Sequence, residues 1–319
     1  MTAPLLSVEN LDMVFGGNKR DAGVRAVDDV SFDVMRGETF GIVGESGSGK
    51  TTLGRCIMRI IDPTAGKVTY RPDDSAPVTL TDLDKAELRK QWQSIRMIFQ
   101  DPQSSLNPRL PVIELIGQAL RKSEGLTGKA LAERVAQLLQ QVGLRPEFLH
   151  RYPGAFSGGQ RQRIGIARAL ATGPKLVIAD EAVSALDVSI QAQTLNLLQD
   201  LQDEFDLTYI FIAHDLAVVE HICDRVAVMY RGRIVELADR DTLFRTPAHP
   251  YTRELLEAVP VPDPSRRRDR KKTVPVPTGV QSAGCAFAPR CALATEICRN
   301  QTPPKRNVGG AEVLCHHVT

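Results

Sequence analysis

The chain has 319 residues, of which 42% are apolar and 24% charged, an ordinary globular composition with room for about two domains. Forty basic residues against 38 acidic ones give a net charge of +2, which excludes a strongly cationic nucleic-acid binder. The longest apolar run is about half a dozen residues, well below the roughly 18 that a membrane helix needs. The first residues lack a basic region and a long apolar region, so we expect no secretory signal.

Short β-rich runs alternate with helical patterns over most of the chain, which predicts an α/β fold with a mostly parallel sheet. Before this alternation, Leu6–Phe15 and Val30–Val34 are typical of antiparallel strands. The strands predicted after them are Thr39–Val43, Lys175–Ala179, Thr208–Ile212 and Arg225–Met229. The predicted helices are Thr51–Ile61, Gly128–Val142, Gln160–Ala171 and Ile190–Phe205.

Two stretches interrupt this pattern. Residues 101–156 begin with a turn-rich loop and then become helical, which predicts a helical insertion into the core. Residues 259–283 are rich in proline and contain the charge run 266–272, which is typical of an extended linker. We therefore expect a domain over 1–258, a linker over 259–283 and a small C-terminal tail over 284–319.

A glycine-rich loop provides the clearest chemical signal. Residues 44–51, GESGSGKT, match the G-x-x-x-x-G-K-[ST] phosphate-binding pattern between a predicted strand and a predicted helix. Backbone N–H groups of such a loop point at phosphates, Lys50 reaches the β- and γ-phosphates, and Thr51 supplies an oxygen to Mg²⁺. The residues predicted to bind ATP here are Gly44, Ser46, Gly47, Ser48, Gly49, Lys50, Thr51 and Thr52.

Two acidic residues end the second buried strand. We expect Asp180 to hold Mg²⁺ through a water molecule. Glu181 follows directly, where its carboxylate can polarise the attacking water. Two solvated acids at a strand end would look the same in isolation, but the phosphate-binding loop favours the catalytic interpretation.

Further motifs resemble those of a known protein family. The segment Phe156–Arg163, FSGGQRQR, resembles the signature motif of the ATP-binding cassette (ABC) ATPases, and it precedes the strand of Asp180 at the family's spacing. The signature residues expected to act on ATP of a second subunit are Ser157, Gly158, Gly159 and Gln160. By the same resemblance, Gln100 is the Q-loop glutamine that reaches Mg²⁺, Asp187 belongs to the D-loop, His214 is the switch histidine and Phe15 stacks on adenine.

Each of these residues also has an ordinary explanation. Ser157 is a good helix N-cap, Gln100 a surface glutamine, His214 a polar residue after a strand and Phe15 a core aromatic. Their order and spacing over some 200 residues favour the family instead. The implied fold is an ABC nucleotide-binding domain: a P-loop core, an N-terminal antiparallel β subdomain and a helical insertion, followed by a cysteine-containing extension. The implied cofactors are ATP and Mg²⁺.

Longer strings resemble one branch of this family, the oligopeptide/dipeptide importer ATPases, and more closely the second (F-type) of its two ATPase subunits. These strings are 99–108, 152–163, 180–193, His249–Thr252 and the tail from Gly284. The resemblance implies closure of two subunits around ATP, with a sister ATPase or a second copy, beneath two transmembrane permease subunits. An extracytoplasmic solute-binding protein would deliver the peptide. The implied location is peripheral, on the cytoplasmic face of the inner (plasma) membrane.

The tail holds four of the six cysteines: Cys285, Cys291, Cys298 and Cys315. Their C-x5-C-x6-C-x16-C spacing is wider than that of common zinc or ferredoxin sites, so spacing alone does not choose between zinc, an iron–sulfur cluster and free thiols. Resemblance to peptide-importer ATPases favours a [4Fe–4S] cluster. His316 and His317 are alternative ligands, whereas Cys56 and Cys223 are expected to be ordinary buried thiols.

Other functions stay open at this stage. Nickel or sugar importers use close relatives, and a cluster in the tail would also suit a redox sensor. A soluble ABC ATPase acting on ribosomes or DNA would need two fused cassettes or a long coiled-coil insertion, and neither occurs here. The basic run 266–272 could contact nucleic acid, but the small net charge favours a solvated linker and no nucleic-acid partner.

Overall fold

Strands and helices alternate along the chain as the sequence pattern predicts. The computed structural model describes residues 3–16, 23–72, 76–101, 105–258 and 284–318, so the predicted linker 259–283 lies outside the described residues. The strands are β1 Leu6–Phe15, β2 Val24–Val34, β3 Thr39–Val43, β4 Ala65–Tyr70, β5 Val78–Thr79, β6 Ile95–Ile98, β7 Leu176–Asp180, β8 Thr208–Ala213, β9 Arg225–Tyr230, β10 Arg233–Asp239, β11 Lys305–Val308 and β12 Ala311–Leu314. The helices are α1 Lys50–Ile57, α2 Lys85–Gln91, α3 Val112–Glu124, α4 Gly128–Gln141, α5 Gly158–Leu170, α6 Val188–Phe205, α7 Leu216–Ile222, α8 Arg240–Arg245, α9 Pro250–Ala258 and α10 Glu296–Asn300.

The main sheet has the order β11-β12-β10-β9-β3-β8-β7-β6. Strands β9, β3, β8, β7 and β6 are parallel, whereas β10 to β12 add antiparallel strands at one edge. The predicted mostly parallel α/β core is therefore present. Because parallel strands end at the same edge, the loops after β3, β6, β7 and β8 meet there.

A second, antiparallel sheet with the order β2-β1-β4-β5 lies over one face of the main sheet. The antiparallel prediction for the N-terminal region is correct, although β2 begins at Val24 rather than Val30. Alternating side chains of β3 explain how the layers are joined. Phe40 and Ile42 pack toward the antiparallel sheet and α1, and the Phe40 ring stacks on Phe32 of β2 with centroids 4.8 Å apart. Val43 joins the core on the opposite face, with the other helices.

Helix α1 ends earlier than its sequence pattern predicts. The pattern extends to Ile61, but Arg59 adopts a left-handed φ of 51° and the helix stops at Ile57. The Arg59 guanidinium donates to the carbonyl oxygens of Leu80 and Leu83, at 2.9 and 2.8 Å. These tertiary hydrogen bonds compensate for a backbone conformation that costs roughly 1–2 kcal/mol in a non-glycine residue.

The interrupting region is helical, as predicted. Helices α3 and α4 are followed by short 3₁₀ turns at Pro146–His150 and Pro153–Ala155. None of the helices in the described ranges combines the length and apolarity that a membrane crossing requires.

The cysteine-containing tail is part of the main sheet. Strand β12 pairs with β10 through Glu236↔Val313 and Leu237↔Glu312, and β11 pairs with β12. Phe287 of the tail packs against Tyr230 of β9 and Tyr251 of α9, with ring centroids 5.3 and 5.4 Å apart. The tail therefore covers an edge that would otherwise be open to pairing with other chains.

A buried acid and a buried histidine fix the start of α9. Glu236 accepts hydrogen bonds from the backbone N–H groups of Ala248 and His249, at 2.8 and 2.9 Å. The Nδ1 atom of His249 accepts from the Tyr251 N–H at 3.0 Å, as an N-cap side chain would. Burial lowers the pKa of His249 from 6.5 to about 4, so the ring is neutral at pH 7.

Because His249 is buried as the neutral ring, we expect the free energy of unfolding to depend on pH. As the pH falls from 6.5 to about 4, the unfolded chain takes up the proton before the folded chain does, so the free energy of unfolding decreases by about 3 kcal/mol over this window and levels off below it. His249→Asn keeps an acceptor for the Tyr251 N–H but cannot titrate, so it should lose this component. Urea unfolding at a series of pH values measures the difference. The exposed His221→Asn is the control, and an unchanged pH profile in His249→Asn would contradict the assignment.

Candidate functional site

The shape of the phosphate-binding loop is determined by two backbone carbonyls, one from β9 and one from β2, that lie close to it. Gly44 and Gly49 have φ values of 153° and 105°, which favour glycine. A Cβ atom at Gly44 would lie 2.1 Å from the Met229 carbonyl oxygen, and one at Gly49 would lie 2.1 Å from the Ala26 carbonyl oxygen. The loop can therefore pass between β9 and β2 only without side chains at these positions.

Lys50 is buried at the start of α1. Its Nζ atom donates to the carbonyl oxygens of Gly44 and Glu45, both at 2.8 Å. Burial lowers its pKa, an effect opposed by the nearby charges of Glu181, Asp180 and Glu45. The ammonium group is thus held over the mouth of the loop by backbone carbonyls, which an anionic ligand can replace.

The predicted Mg²⁺ ligands Thr51 and Asp180 lie together. The Thr51 hydroxyl donates to Asp180 Oδ1 at 2.9 Å, which joins the start of α1 to the end of β7. Burial raises the pKa of Asp180, whereas the Thr51 hydrogen bond lowers it. An alcohol oxygen beside a carboxylate is the type of donor set that a hard divalent cation prefers, so the residues fit Mg²⁺.

Gln100, Glu181 and His214 also converge, from the ends of β6, β7 and β8. Gln100 Nε2 donates to Glu181 Oε2 at 2.8 Å, and His214 Nδ1 lies 3.2 Å from the same oxygen. Glu181 has a left-handed φ of 47°, and its N–H donates to the Ile212 carbonyl oxygen at 2.9 Å. Strained backbone that is held in place by its surroundings is common at functional sites, and here it aims one carboxylate.

The signature residues start a helix. Ser157 is the N-cap of α5 and forms a capping box with Gln160: the Gln160 N–H donates to Ser157 Oγ at 3.3 Å, and the Ser157 N–H donates to Gln160 Oε1 at 3.1 Å. The capping prediction for Ser157 is therefore correct. Gly158 and Gly159 occupy the first turn, and a Cβ atom at Gly159 would lie 2.6 Å from the Ile190 side chain. The exposed N-terminus of α5 is thus packed on the first turn of α6.

Asp187 and Phe15 stand at the edges of the site. Asp187 is the N-cap of α6 and accepts from the Ile190 N–H at 3.0 Å. Phe15 is 41% exposed and pairs with Val24 at the end of β1, two residues along β2 from the Ala26 carbonyl that presses on Gly49. A partly exposed aromatic ring at this end of the sheet is suited to stacking on a planar ligand.

The iron–sulfur prediction for Cys285, Cys291, Cys298 and Cys315 receives no support. None of the four takes part in a disulfide, and within the described ranges no three or more His, Cys, Asp or Glu side chains are placed to hold a metal ion. Burial raises the pKa of Cys285 and Cys291, and the nearby Cys315 and Cys298 raise it further. His316 and His317 bond instead to the Gln301 carbonyl and the Thr295 hydroxyl. Cys56 and Cys223 are fully buried, as expected.

Sequence reasoning missed contacts that support the phosphate-binding loop from outside. The Glu45 N–H donates to the Tyr251 hydroxyl at 3.0 Å. The Glu45 carboxylate receives two hydrogen bonds from Arg290 of the tail, at 2.9 and 3.0 Å. These partners lie more than 200 residues along the chain from Glu45, so no local pattern could indicate them.

The site therefore combines anion-binding backbone with acid–base groups. One wall holds the glycine loop and Lys50, the next holds Thr51 and Asp180, and the third holds a carboxylate oriented by an amide and an imidazole. A cavity of about 120 Å³ lies beside Glu181 and His214. Such a fold and site define a P-loop ATPase of the ABC type.

Comparisons with known proteins agree. A profile of the ABC transporter family matches residues 27–184, and a profile described as the oligopeptide/dipeptide transporter C-terminal region matches residues 235–298. A probable peptide ABC transporter ATP-binding protein, y4tS of Sinorhizobium fredii, is 53% identical over 99% of this chain and 90% of its own length. The oligopeptide transport ATP-binding protein AppF of Bacillus subtilis is 48% identical over 92% of this chain and 89% of its own length.

Solved structures show the same fold. The dimeric ATP-binding cassette MJ0796, bound to ADP and phosphate, superposes with a TM-score of 0.65 at 29% identity, over 74% of this chain and 98% of that chain. The protein belongs to the family of ABC transporter ATP-binding proteins, and it is an ATPase.

The two glycine environments in the loop predict different costs of substitution. Gly49→Ala combines a left-handed φ with a collision against a backbone carbonyl, so it should destabilise the fold by about 1–3 kcal/mol more than Gly47→Ala. Gly47 has a φ of 79°, but a Cβ atom added there would have no neighbouring atom within 4 Å, so Gly47→Ala carries only the backbone strain. Urea unfolding without nucleotide measures both, and equal unfolding midpoints would contradict the steric account.

Proposed function

We propose that this protein hydrolyses ATP to drive the import of di- or oligopeptides through membrane-embedded partners. The observation that carries the peptide assignment is the match of residues 235–298 to the oligopeptide/dipeptide transporter C-terminal region, in a chain about half identical to proteins named for peptide transport. In this proposal residues 1–258 form the ATP-binding cassette with a helical part at 101–156. Residues 259–283 are a linker and 284–319 a family-specific extension.

ATP occupies the glycine loop in this proposal. Residues 44–52 offer N–H groups and the α1 N-terminus to the phosphates, and Lys50 exchanges its bonds to loop carbonyls for phosphate oxygens. Phe15 offers its exposed ring to adenine. Thr51, Asp180 and Gln100 supply the oxygen ligands of Mg²⁺, which neutralises phosphate charge when bound.

Glu181 is the proposed base. Its Oε2 atom is occupied by Gln100 and His214, which leaves Oε1 to accept a proton from the attacking water. Because Gln100 also lies at the end of β6, where the helical region begins, movement of that region would change the orientation of Glu181. His214 has an exposed ring and can turn to the γ-phosphate, which couples the presence of ATP to the position of the base.

The active form is proposed to be a dimer of this chain with a sister ATPase or with a second copy. The α5 N-terminus, with Ser157 to Gln160, would contact the γ-phosphate of ATP held by the partner, where helix N–H groups favour an anion. The Gly159–Ile190 packing and the Asp187 cap support movement of the signature and D-loop together. The dimeric cassette bound to ADP and phosphate supports this arrangement.

A groove between the core and the helical region is the proposed dock for a permease helix. Its volume is about 720 Å³, and Phe99, the residue before Gln100, lines it. Its wall includes Ile60, Trp92 and Phe99 from the core and the α3 residues Gln118 and Ala119. Exposed apolar side chains in a concave surface are typical of partner sites. Two permease subunits would place the protein peripherally on the cytoplasmic face of the inner membrane, with an extracytoplasmic solute-binding protein acting indirectly.

An iron–sulfur cluster at the four tail cysteines stays a prediction, and no nucleic-acid partner is proposed. The assignment of this chain as the F-type rather than the D-type subunit stays a prediction.

Replacement of Glu181 tests the hydrolysis step. Glu181→Gln should still bind ATP but hydrolyse it roughly 10²–10⁴-fold more slowly, because the amide cannot accept the proton. Steady-state phosphate release and equilibrium ATP binding are measured on the same preparation. Glu220→Gln removes an exposed carboxylate from α7 and is the control. Turnover near the wild-type value in Glu181→Gln would remove Glu181 from this role.

Two isoleucines of similar exposure test the groove. Ile60 lies in the groove and is 47% exposed, whereas Ile297 lies on the tail and is 43% exposed. Ile60→Asp places a charge in the apolar contact, so co-purification with the permease subunits should fall at least tenfold, by about 1.4 kcal/mol or more, while the ATPase activity of the isolated subunit is retained. Ile297→Asp should leave both unchanged. Equal recovery of the complex with the two variants would show that the permease docks elsewhere.

A further inference from the structure

One side chain of the tail reaches the phosphate-binding loop. Arg290 donates through its two terminal nitrogens to both oxygens of Glu45, at 2.9 and 3.0 Å, across 245 positions of sequence. The geometry is the two-pronged pairing of a guanidinium with a carboxylate, which gives both direction and strength. Glu45 is the second residue of the loop, between Gly44 and Ser46.

Arg290 is held firmly in this position. Its side chain is only 16% exposed, and it also bonds to Glu254 of α9. The guanidinium carbon lies 5.6–5.9 Å from the ring centres of Tyr230, Tyr251 and Phe287, within the range of cation–π attraction. Its own backbone is fixed as well, because the N–H groups of Arg290 and Cys291 both donate to the Phe287 carbonyl oxygen at 3.0 Å.

Glu45 is engaged at three points. Its carboxylate is bound by Arg290, its N–H donates to the Tyr251 hydroxyl, and its carbonyl oxygen accepts from Lys50. Two of these partners belong to the tail and to α9, outside the loop. The carboxylate itself is 45% exposed and carries a negative charge in the loop that must bind a polyanion. Without compensation, this charge would repel the phosphates.

We propose that Arg290 is a positioning residue that completes the ATP site from the C-terminal tail: it holds Glu45 in place and offsets part of the charge that this carboxylate would present to the triphosphate. The tail thus contributes to nucleotide affinity without touching the nucleotide. This inference rests on the proposal that residues 44–52 bind ATP.

The test is equilibrium ATP binding by the full-length chain, with Mg²⁺ chelated so that ATP is not hydrolysed. Arg290→Gln leaves the Glu45 charge uncompensated and should weaken binding about 3- to 10-fold at low ionic strength, less at high ionic strength. Removing the charge as well, in Glu45→Gln with Arg290→Gln, should restore affinity to within about twofold of Glu45→Gln alone. A merely structural contact would give neither the rescue nor the salt dependence.

Two further variants keep the test decisive. Arg299→Gln removes a charge from the same tail at an exposed site and should bind ATP as the wild type does. Arg290→Lys keeps the positive charge but loses the two-pronged pairing with the carboxylate. Its ATP affinity should therefore lie within about twofold of the wild-type value, even if Arg290→Gln fails to fold. Wild-type affinity in Arg290→Gln, loss without rescue in the double variant, or a tenfold loss in Arg290→Lys would overturn the inference.

Lys50→Ala distinguishes an error in the proposed ATP site from an error in the role of the tail. If Lys50→Ala binds ATP as tightly as the wild type, the proposed ATP site itself is wrong. If Lys50→Ala loses binding while Arg290→Gln retains it, only the role of the tail is wrong.

Discussion

Two backbone carbonyls, from Ala26 and Met229, set the geometry on which the rest of the site depends. They approach the phosphate-binding loop so closely that Gly44 and Gly49 cannot carry a Cβ atom. The loop therefore lies in close contact with β2 of the antiparallel sheet and β9 of the main sheet. This confinement would order the N–H groups of the loop before nucleotide binds, which would lower the entropic cost of the proposed binding.

The parallel core brings the candidate catalytic groups to the same place. Gln100, Glu181 and His214 follow β6, β7 and β8, three neighbouring parallel strands whose carboxyl ends share one edge of the sheet. The register of the sheet sets their separation, and both Gln100 and His214 lie against a single oxygen of Glu181, Gln100 through a hydrogen bond. Such a site needs few residues because the sheet holds them at fixed distances from one another.

Much of this arrangement is predictable from local patterns. A strand, a glycine loop with Lys50 and a helix predict a phosphate site, and the paired acids at 180 and 181 predict the metal and base positions. Local sequence patterns do not predict features that depend on contacts between residues far apart in the chain. Helix α1 stops at Ile57 because Arg59 bonds to carbonyls more than 20 residues away, and Glu45 is held by groups from the far end of the chain. The iron–sulfur cluster expected from four cysteines and a resemblance stays a prediction without support, because sequence spacing does not show how the thiols are placed.

Strand β12 and Arg290 are synthesised after the elements that they contact. The ribosome makes the whole cassette before residues 284–315, so the nascent chain first exposes β10 as an unpaired edge. In this interval Glu45 has no guanidinium beside it. Closure of the sheet edge and compensation of the loop charge therefore both depend on residues of the same late-synthesised tail.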